Sequence, residues 1–375
     1  MASVTIRYEI ANCKTRLVRT GWLAISALAL LFSVSTLRAQ VHSVLPLPPA
    51  TVSTVPSNGD VNPYGVAIVP YGVAAGLTLQ PDDILVSNFN DNLNLQGIGT
   101  TVVRVNSNGQ QSLFYQSSYP TTGMTAALGV VQKGFVFVGN LPTLDGTSAT
   151  VQPGSLTIID GNGHLAGSIV NSSLINGPWG LAVADNGASA HIFVSNVLSG
   201  TITRVDVSFP VAGGVAIVKA VVIGSGFNHR PDPAALELGP SGLRFDSVHD
   251  ILYVASSMDN AVYALSGAAK ANSSLGSGQL VFQDFVHLHG PTQLAGAPNG
   301  DLLVANSDGS NVDPNQPSEI VEFTTAGEFI SQSSVDPNNG GAFGVAARSL
   351  GSEAVRIAAV DDNANTVTTW TKIVY

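Results

Sequence analysis

The side chains best equipped for chemistry fall into two sets. The first is a series of amides and acids, each at the polar end of a short apolar run: Asn88, Asn140, Asn196, Asn306, Asp361 and Asp362. Gathered on one face, such oxygens suit a hard cation such as calcium or another divalent ion; as separate strand ends they would bond their own loop backbone instead. The second set mixes aromatic, basic and acidic groups: Tyr64, Trp179, His229, Arg230, Glu237, His287 and His289. Small-molecule sites are built from aromatic walls and a few convergent polar groups of this kind. In Phe227-Asn-His-Arg-Pro-Asp-Pro233 an imidazole and a guanidinium stand beside Asp232, which reads as an anion site or as a local ion pair in a solvated loop. His287-Leu-His289 places two imidazoles on the same side of a strand. They read as a metal pair with no assignable third ligand or as outer-strand histidines.

Several chemistries have no carrier. There is no Gly-x-Ser-x-Gly elbow, no His-Glu-x-x-His, no paired cysteines and no dinucleotide fingerprint between a strand and a helix. The only cysteine is Cys13, so disulfides and thiolate metal sites are excluded from the rest of the chain.

The elements that must position these residues recur. An apolar run starts at Gly65, Ala127, Gly180, Gly242, Gln293 and Gly344, and a second run follows each: Ile84-Leu-Val-Ser, Phe135-Val-Phe-Val, Ile192-Phe-Val-Ser, Ile251-Leu-Tyr-Val-Ala, Leu302-Leu-Val-Ala and Val355-Arg-Ile-Ala-Ala. Short Val- and Ile-rich runs bounded by Gly, Asn and Pro are strands; only Pro233-Ala-Ala-Leu-Glu-Leu238 suggests a helical turn. The first two runs of each unit are apolar at consecutive positions, so both faces are buried. The third, as in Glu319-Ile-Val-Glu-Phe323, alternates and predicts one wet face. Four-stranded sheets packed around an axis produce that gradient, whereas a two-layer sandwich would alternate in every strand. Antiparallel pairing of the first two strands sets the polar ends of all six second strands, and the loops leading into each blade, on one face.

The expected fold is therefore an all-β, six-bladed β-propeller of four-stranded antiparallel blades, with repeats starting near residues 61, 121, 177, 239, 290 and 341. The last unit, 341–375, has only three runs, so an edge remains to be covered. Residues 40–60, with Ala50-Thr-Val-Ser-Thr-Val55, are expected to close the ring. In Gly-Pro-x-Gly the proline fixes the backbone where a unit begins and the glycine lets inner strands crowd. Asp185-Asn186-Gly187 and Asn299-Gly300-Asp301 suit tight hairpin turns.

Residues 1–39 differ from the rest: Arg7, Lys14, Arg16 and Arg19 precede an apolar run from Trp22 to Val34, with Ala39-Gln40 as the expected cut. This is a secretory signal pattern, too short for a permanent span. Secretion to the periplasm or the extracellular space, with no stable membrane insertion after cleavage, is the expectation. Without that segment 10 basic residues face 24 acidic ones, a formal charge of −14. Such a balance repels phosphate backbones, so nucleic-acid partners are disfavoured. A monomer is expected.

The units NPYGVAIVP…DDILVSNFND, GPWGLAVAD…HIFVSN, GPSGLRFDSVHDILYVASSMDN and GPTQLAGAPNGDLLVANSDG resemble NHL-type repeats. Residues 60–375 as a whole are similar to the six-bladed propeller superfamily that includes gluconolactonases. The resemblance implies a metal held by a Glu ahead of the first-blade Gly-Pro and by an Asn in a Pro-Asn-Gly-Leu segment. Here Asn62 and Trp179 stand at those places, which counts against a metal lactonase, while Asp361 and Asp362 remain as acids near the axis. Three functions stay open: binding of a small molecule, glycan or protein on this face; a calcium-type lactonase, hydrolase or lyase; and a structural extracellular module.

Overall fold

The computed structural model describes residues 43–45, 50–307, 315, 318–351 and 354–373; the leader pattern at 1–39 lies outside them. Six four-stranded antiparallel sheets form the blades, with one further two-stranded hairpin and a single short 3-10 turn at Ser148–Thr150. The first and second strands of the blades are Val61–Ile68 with Ile84–Asn90, Met124–Val130 with Val136–Asn140, Pro178–Asp185 with Ser189–Asn196, Pro240–Asp246 with Ile251–Ser256, Pro291–Gly296 with Leu302–Asn306, and Ala342–Ser349 with Ala354–Asp361. No helix among the described residues is long and apolar enough to cross a membrane.

Burial follows the apolar runs. Ile84–Asn90, Val136–Asn140 and Leu302–Asn306 are buried at every position, whereas fourth strands such as Leu165–Ile169 and Gln279–Gln283 are largely exposed. Apolar clusters lie between neighbouring blades, for example Phe137 and Leu156 of blade two against Leu181, Ile192 and Val194 of blade three. Burial of this kind is the main stabilising term.

The expected wet face is corrected at Glu319–Phe323, whereas the third strand of blade six, Thr366–Ile373, does have exposed positions. Glu319–Phe323 is buried throughout. Its alternating carboxylates are inside and bonded: Glu319 accepts from Asn306 Nδ2 at 2.8 Å, and Glu322 from the Val44 amide at 3.0 Å and Ser43 Oγ at 2.6 Å. Alternation of polarity here marks satisfied buried acceptors.

Blade starts share a bulge. Register shifts fall at Pro63/Gly65, Pro178/Gly180, Pro240/Leu243 and Pro291/Gln293. Gly180 shows why small residues follow: a Cβ there would sit 2.0 Å from the Ser241 carbonyl oxygen of the next blade. That closeness lets a hydroxyl of one blade reach a carbonyl of the next. Ser87 Oγ donates to Thr125 O at 2.7 Å, Thr125 Oγ1 to Pro178 O at 2.7 Å and Ser195 Oγ to Ser241 O at 2.6 Å. Ser241 Oγ donates to Pro291 O at 2.7 Å and Thr292 Oγ1 to Phe343 O at 2.6 Å.

The sixth seam joins the chain's two ends differently. Tyr64 of blade one stacks on Phe343 of blade six, with ring centroids 3.6 Å apart. Arg348 reaches the Val69 carbonyl and Asp82. The ring is closed as expected: Ala50–Ser53 pairs antiparallel with Thr366–Thr369 as the outermost strand of blade six. Val44 and Leu45 pack between blades five and six, and Lys372 Nζ donates to Ser43 O at 2.5 Å.

Two outcomes test this arrangement. Ser195→Ala removes a donor to Ser241 O and an acceptor for the Gly180 amide, 2.8 Å away; urea denaturation should show a loss of about 1–3 kcal/mol, the usual penalty for buried orphaned groups. Deleting residues 41–56 should lower the thermal midpoint sharply by uncovering an edge strand and Glu322, and an unchanged midpoint would refute the closure.

Candidate functional site

The bulge leaves one residue just after each blade start: Tyr64, Thr125, Trp179, Ser241, Thr292 and Phe343. The three hydroxyls serve the seams. The three aromatics converge with Phe89 at the axis. Tyr64 stacks on Phe89 at 4.6 Å, and Trp179 meets Phe89 edge-on at 5.4 Å and Tyr64 at 5.9 Å. All four are buried, and offset or edge-on contacts of this kind add to the area buried. Trp179 and Tyr64, expected as rim aromatics, are thus parts of an aromatic plug, with Tyr64 also forming a cavity floor.

Above that plug lies a cavity of about 190 Å³. Tyr64 and Phe343 form its floor, and Asn62, Asn90, Asn94, Gln96, Ser307 and Asp362 supply polar lining. Asn90 Nδ2 donates to Asn94 Oδ1 at 2.8 Å. Asn90 Oδ1 and Asp362 Oδ1 are buried acceptors with no hydrogen-bond partner among the described residues. An unanswered buried acceptor is unfavourable by itself, and both of these belong to residues that line the cavity.

Acidic groups crowd the Asp362 side. Burial, then Asp361, then Asp336 push the Asp362 carboxyl well above the usual carboxylate range. Asp361 is also raised, by burial and by the Asp336 carboxylate, although it accepts the Ala364 amide at 3.0 Å. Tyr64 is pushed up by burial and by Asp362.

Ala234 and Ala235 cover the cavity from the tip of a hairpin, Arg230–Asp232 paired with Leu236–Leu238. This corrects the helical turn expected over 233–238. The turn closes because Asp232 Oδ1 accepts the Ala234 amide at 2.9 Å and the Ala235 amide at 3.0 Å. Leu236 then enters the core cluster that holds Trp179 and Phe89, at a φ of 64°. A branched side chain in that region is strained and is held there by its packing. Arg230 pairs with Asp232 at 2.8 Å, the local ion pair of the two readings, while His229 Nδ1 lies 3.2 Å from Phe227 O. Glu237 is buried, and burial together with the Asp232 carboxylate pushes it up to about 7.

The strand-end amides are engaged by their own blades. Asn88 Nδ2 donates to Thr54 O and Thr101 Oγ1, both at 3.1 Å, and Asn140 Oδ1 accepts Thr157 Oγ1 at 2.7 Å. Asn196 Oδ1 accepts the Asn176 amide at 2.9 Å, and Asn306 Oδ1 accepts the His289 amide at 2.7 Å. The histidine pair is corrected in its geometry: 284–290 is a loop and not a strand. Asp284 organises it, accepting the His287 amide at 2.7 Å and lying 2.6 Å from His287 Nδ1, while the His287 ring stacks on Phe329 at 3.8 Å. His289 is buried beneath. A hard cation needs converging oxygens. At Trp179, one of the two places where the resemblance put a metal ligand, the structure offers aromatic rings. Among the described residues no group of three or more His, Cys, Asp or Glu is arranged to hold a metal. Trp179 offers no oxygen at that place, while Asn90 and Asp362 are the oxygen-bearing residues that line the axial cavity.

The lining residues Asn62, Asn90, Asn94, Gln96 and Ser307 were not singled out in the sequence, apart from Asn62 as a replaced ligand. Asn62 and Asn94 have φ of 55° and 62°, a left-handed backbone that Asn tolerates.

No family model matches the chain, and no curated protein matches it. Solved structures do. One assigned as a gluconolactonase is 12% identical, with a TM-score of 0.48, over 88% of this chain and 94% of its own. The calcium-binding protein regucalcin from Agrobacterium tumefaciens is 13% identical, with a TM-score of 0.49, over 86% and 94%. A luciferin-regenerating enzyme is 12% identical, with a TM-score of 0.47, over 88% and 96%. The propeller assignment rests on the blade topology itself, and no chemistry is carried over from these proteins.

Glu237 gives the hairpin a pH signature. Its folded value of about 7 lies above the ordinary 4.5, so the folded state binds the extra proton between them. Its stabilising contribution is complete below about 4.5 and is lost as pH rises through about 7. Glu237→Gln should flatten the fall of the thermal midpoint across that window, and equal slopes for variant and wild type would contradict it.

Proposed function

We propose that the protein is a secreted propeller that binds a compact polyhydroxylated molecule, of the sugar or sugar-lactone class, at its axis. The observation that carries this is the pair of orphaned acceptors, Asn90 Oδ1 and Asp362 Oδ1, on a cavity floored by Tyr64 and Phe343. Hydroxyl donors answer such acceptors, the amides of Asn62, Asn94 and Gln96 add further partners, and an aromatic floor suits the apolar face of a sugar ring. The volume of about 190 Å³ matches a single ring rather than a chain. The leader pattern at 1–39 supports secretion.

A second reading, hydrolysis of a bound lactone, is favoured by Asp362. A carboxyl whose affinity for its proton is raised by burial and by neighbouring acids, beside a cavity, is placed to protonate a leaving oxygen. Lactonase activity also belongs to the name of one structural neighbour; the reading for this chain stands on Asp362 and involves no metal step.

Calorimetry with monosaccharides and aldonolactones, paired with hydrolysis assays, tests both. The expected result is saturable binding at millimolar concentration or tighter, weakened about 5- to 10-fold by Asn90→Ala, the equivalent of one hydrogen bond. Asp362→Asn should abolish any turnover while the protein stays folded. Failure of every sugar and lactone to saturate would overturn the binding reading; turnover unchanged in Asp362→Asn would overturn the second.

A further inference from the structure

At the opposite end of the axis the first strands finish, and their C-terminal portions enclose a larger cavity of about 370 Å³. Its lining side chains are mostly apolar, with Leu128, Leu181, Phe245, Leu294 and Val345 among them, although polar atoms make up more than half of its exposed surface. Two arginines, Arg244 and Arg348, interrupt them. Arg244 lines the cavity, is partly buried, and makes no hydrogen bond or ion pair among the described residues. The nearest acid along its strand, Asp246, is engaged by His249 Nδ1 at 2.6 Å and the Val248 amide at 2.9 Å. Arg348, also on the lining, is committed to Asp82 and the Val69 carbonyl, with its guanidinium 3.9 Å over the Tyr71 ring. Gly296 makes room for Arg244: a Cβ at that position would sit 2.1 Å from Arg244 Nε.

A guanidinium withdrawn from water and left unpaired is unfavourable. Burial depresses the Arg244 pKa, against the effect of Asp246 and Tyr253. A planar five-donor group accepts a carboxylate in bidentate fashion, and apolar walls accept a hydrocarbon tail. A phosphate dianion would want more uncommitted donors than this cavity provides. We propose that this mouth of the propeller is a separate anion site, in which Arg244 binds the carboxylate of a small monocarboxylate whose apolar tail lies against the Leu181 and Phe245 walls. The site is independent of the face that carries Asp362.

The test is calorimetric titration of the purified protein with octanoate, with octanamide and inorganic phosphate as comparators. Octanoate should saturate one site, and octanamide should bind about tenfold more weakly or worse, the range expected for losing a charge-assisted bond. Arg244→Gln should lose affinity for octanoate by a similar factor and leave octanamide unaffected. If Arg244→Gln does not fold, Gly296→Ala decides, because its added methyl displaces the guanidinium and should weaken octanoate alone. Equal binding of octanoate and octanamide, no saturation, or unchanged affinity in the folded variant would overturn the proposal, and preferential binding of phosphate would overturn the carboxylate assignment.

Discussion

Five of the six seams of the ring depend on a hydroxyl hydrogen bond that crosses from one blade to the carbonyl of the next. For the hydroxyl to reach, the innermost strands must approach so closely that a side chain in between is excluded, and blades one to five solve this in one of two ways. In blades two, four and five the hydroxyl sits on the first strand, as Thr125, Ser241 and Thr292. The facing residue of the second strand is then small: Gly139 lies against Thr125, and Ser241 and Thr292 also touch the Ala255 and Ala305 carbonyls. In blades one and three the hydroxyl moves to the second strand, as Ser87 and Ser195, opposite Gly65 and Gly180. The first strand is then free to carry an aromatic residue, Tyr64 or Trp179. Blade six has Phe343 and no bridging hydroxyl, and its seam is made by ring stacking and by the N-terminal strand.

This division of labour determines what the axis can do. Where the seam is held from the second strand, the position after the blade start is released from bonding and fills the centre with an aromatic ring. The same rings that stabilise the core stand where an oxygen ligand was expected at Trp179, and two of them, Tyr64 and Phe343, line a small polar cavity. The chemistry thereby shifts toward the rim, to Asn90, Asp362 and the hairpin that roofs them.

Much of the fold was legible because the apolar runs of the second strands, such as Ile84–Val86 and Leu302–Ala305, are buried on both faces. The closing role of Ala50–Ser53 followed from counting strands. The site was less legible, for reasons that can be named. Strand-end Asn residues look alike in sequence whether they face a ligand or cap their own loop, and Asn88, Asn140, Asn196 and Asn306 all have bonds within their blade. The buried pair Glu319 and Glu322 reads as a solvent face because periodicity reports polarity and not the partners that satisfy it. Leu236–Leu238 reads as helical because its strand conformation is imposed by packing over the axis, against local preference.

The pairing of residues 50–53 with 366–369 has a temporal implication. Residues 50–53 find their partner only after the residues of all six blades up to 366–369 have been made, so that contact has a very large sequence separation and is among the slowest to form. Until then the edge of the last blade is an open template for any other extended segment. A chaperone that shields that edge would bear on the yield of this protein as directly as the stability of any single blade.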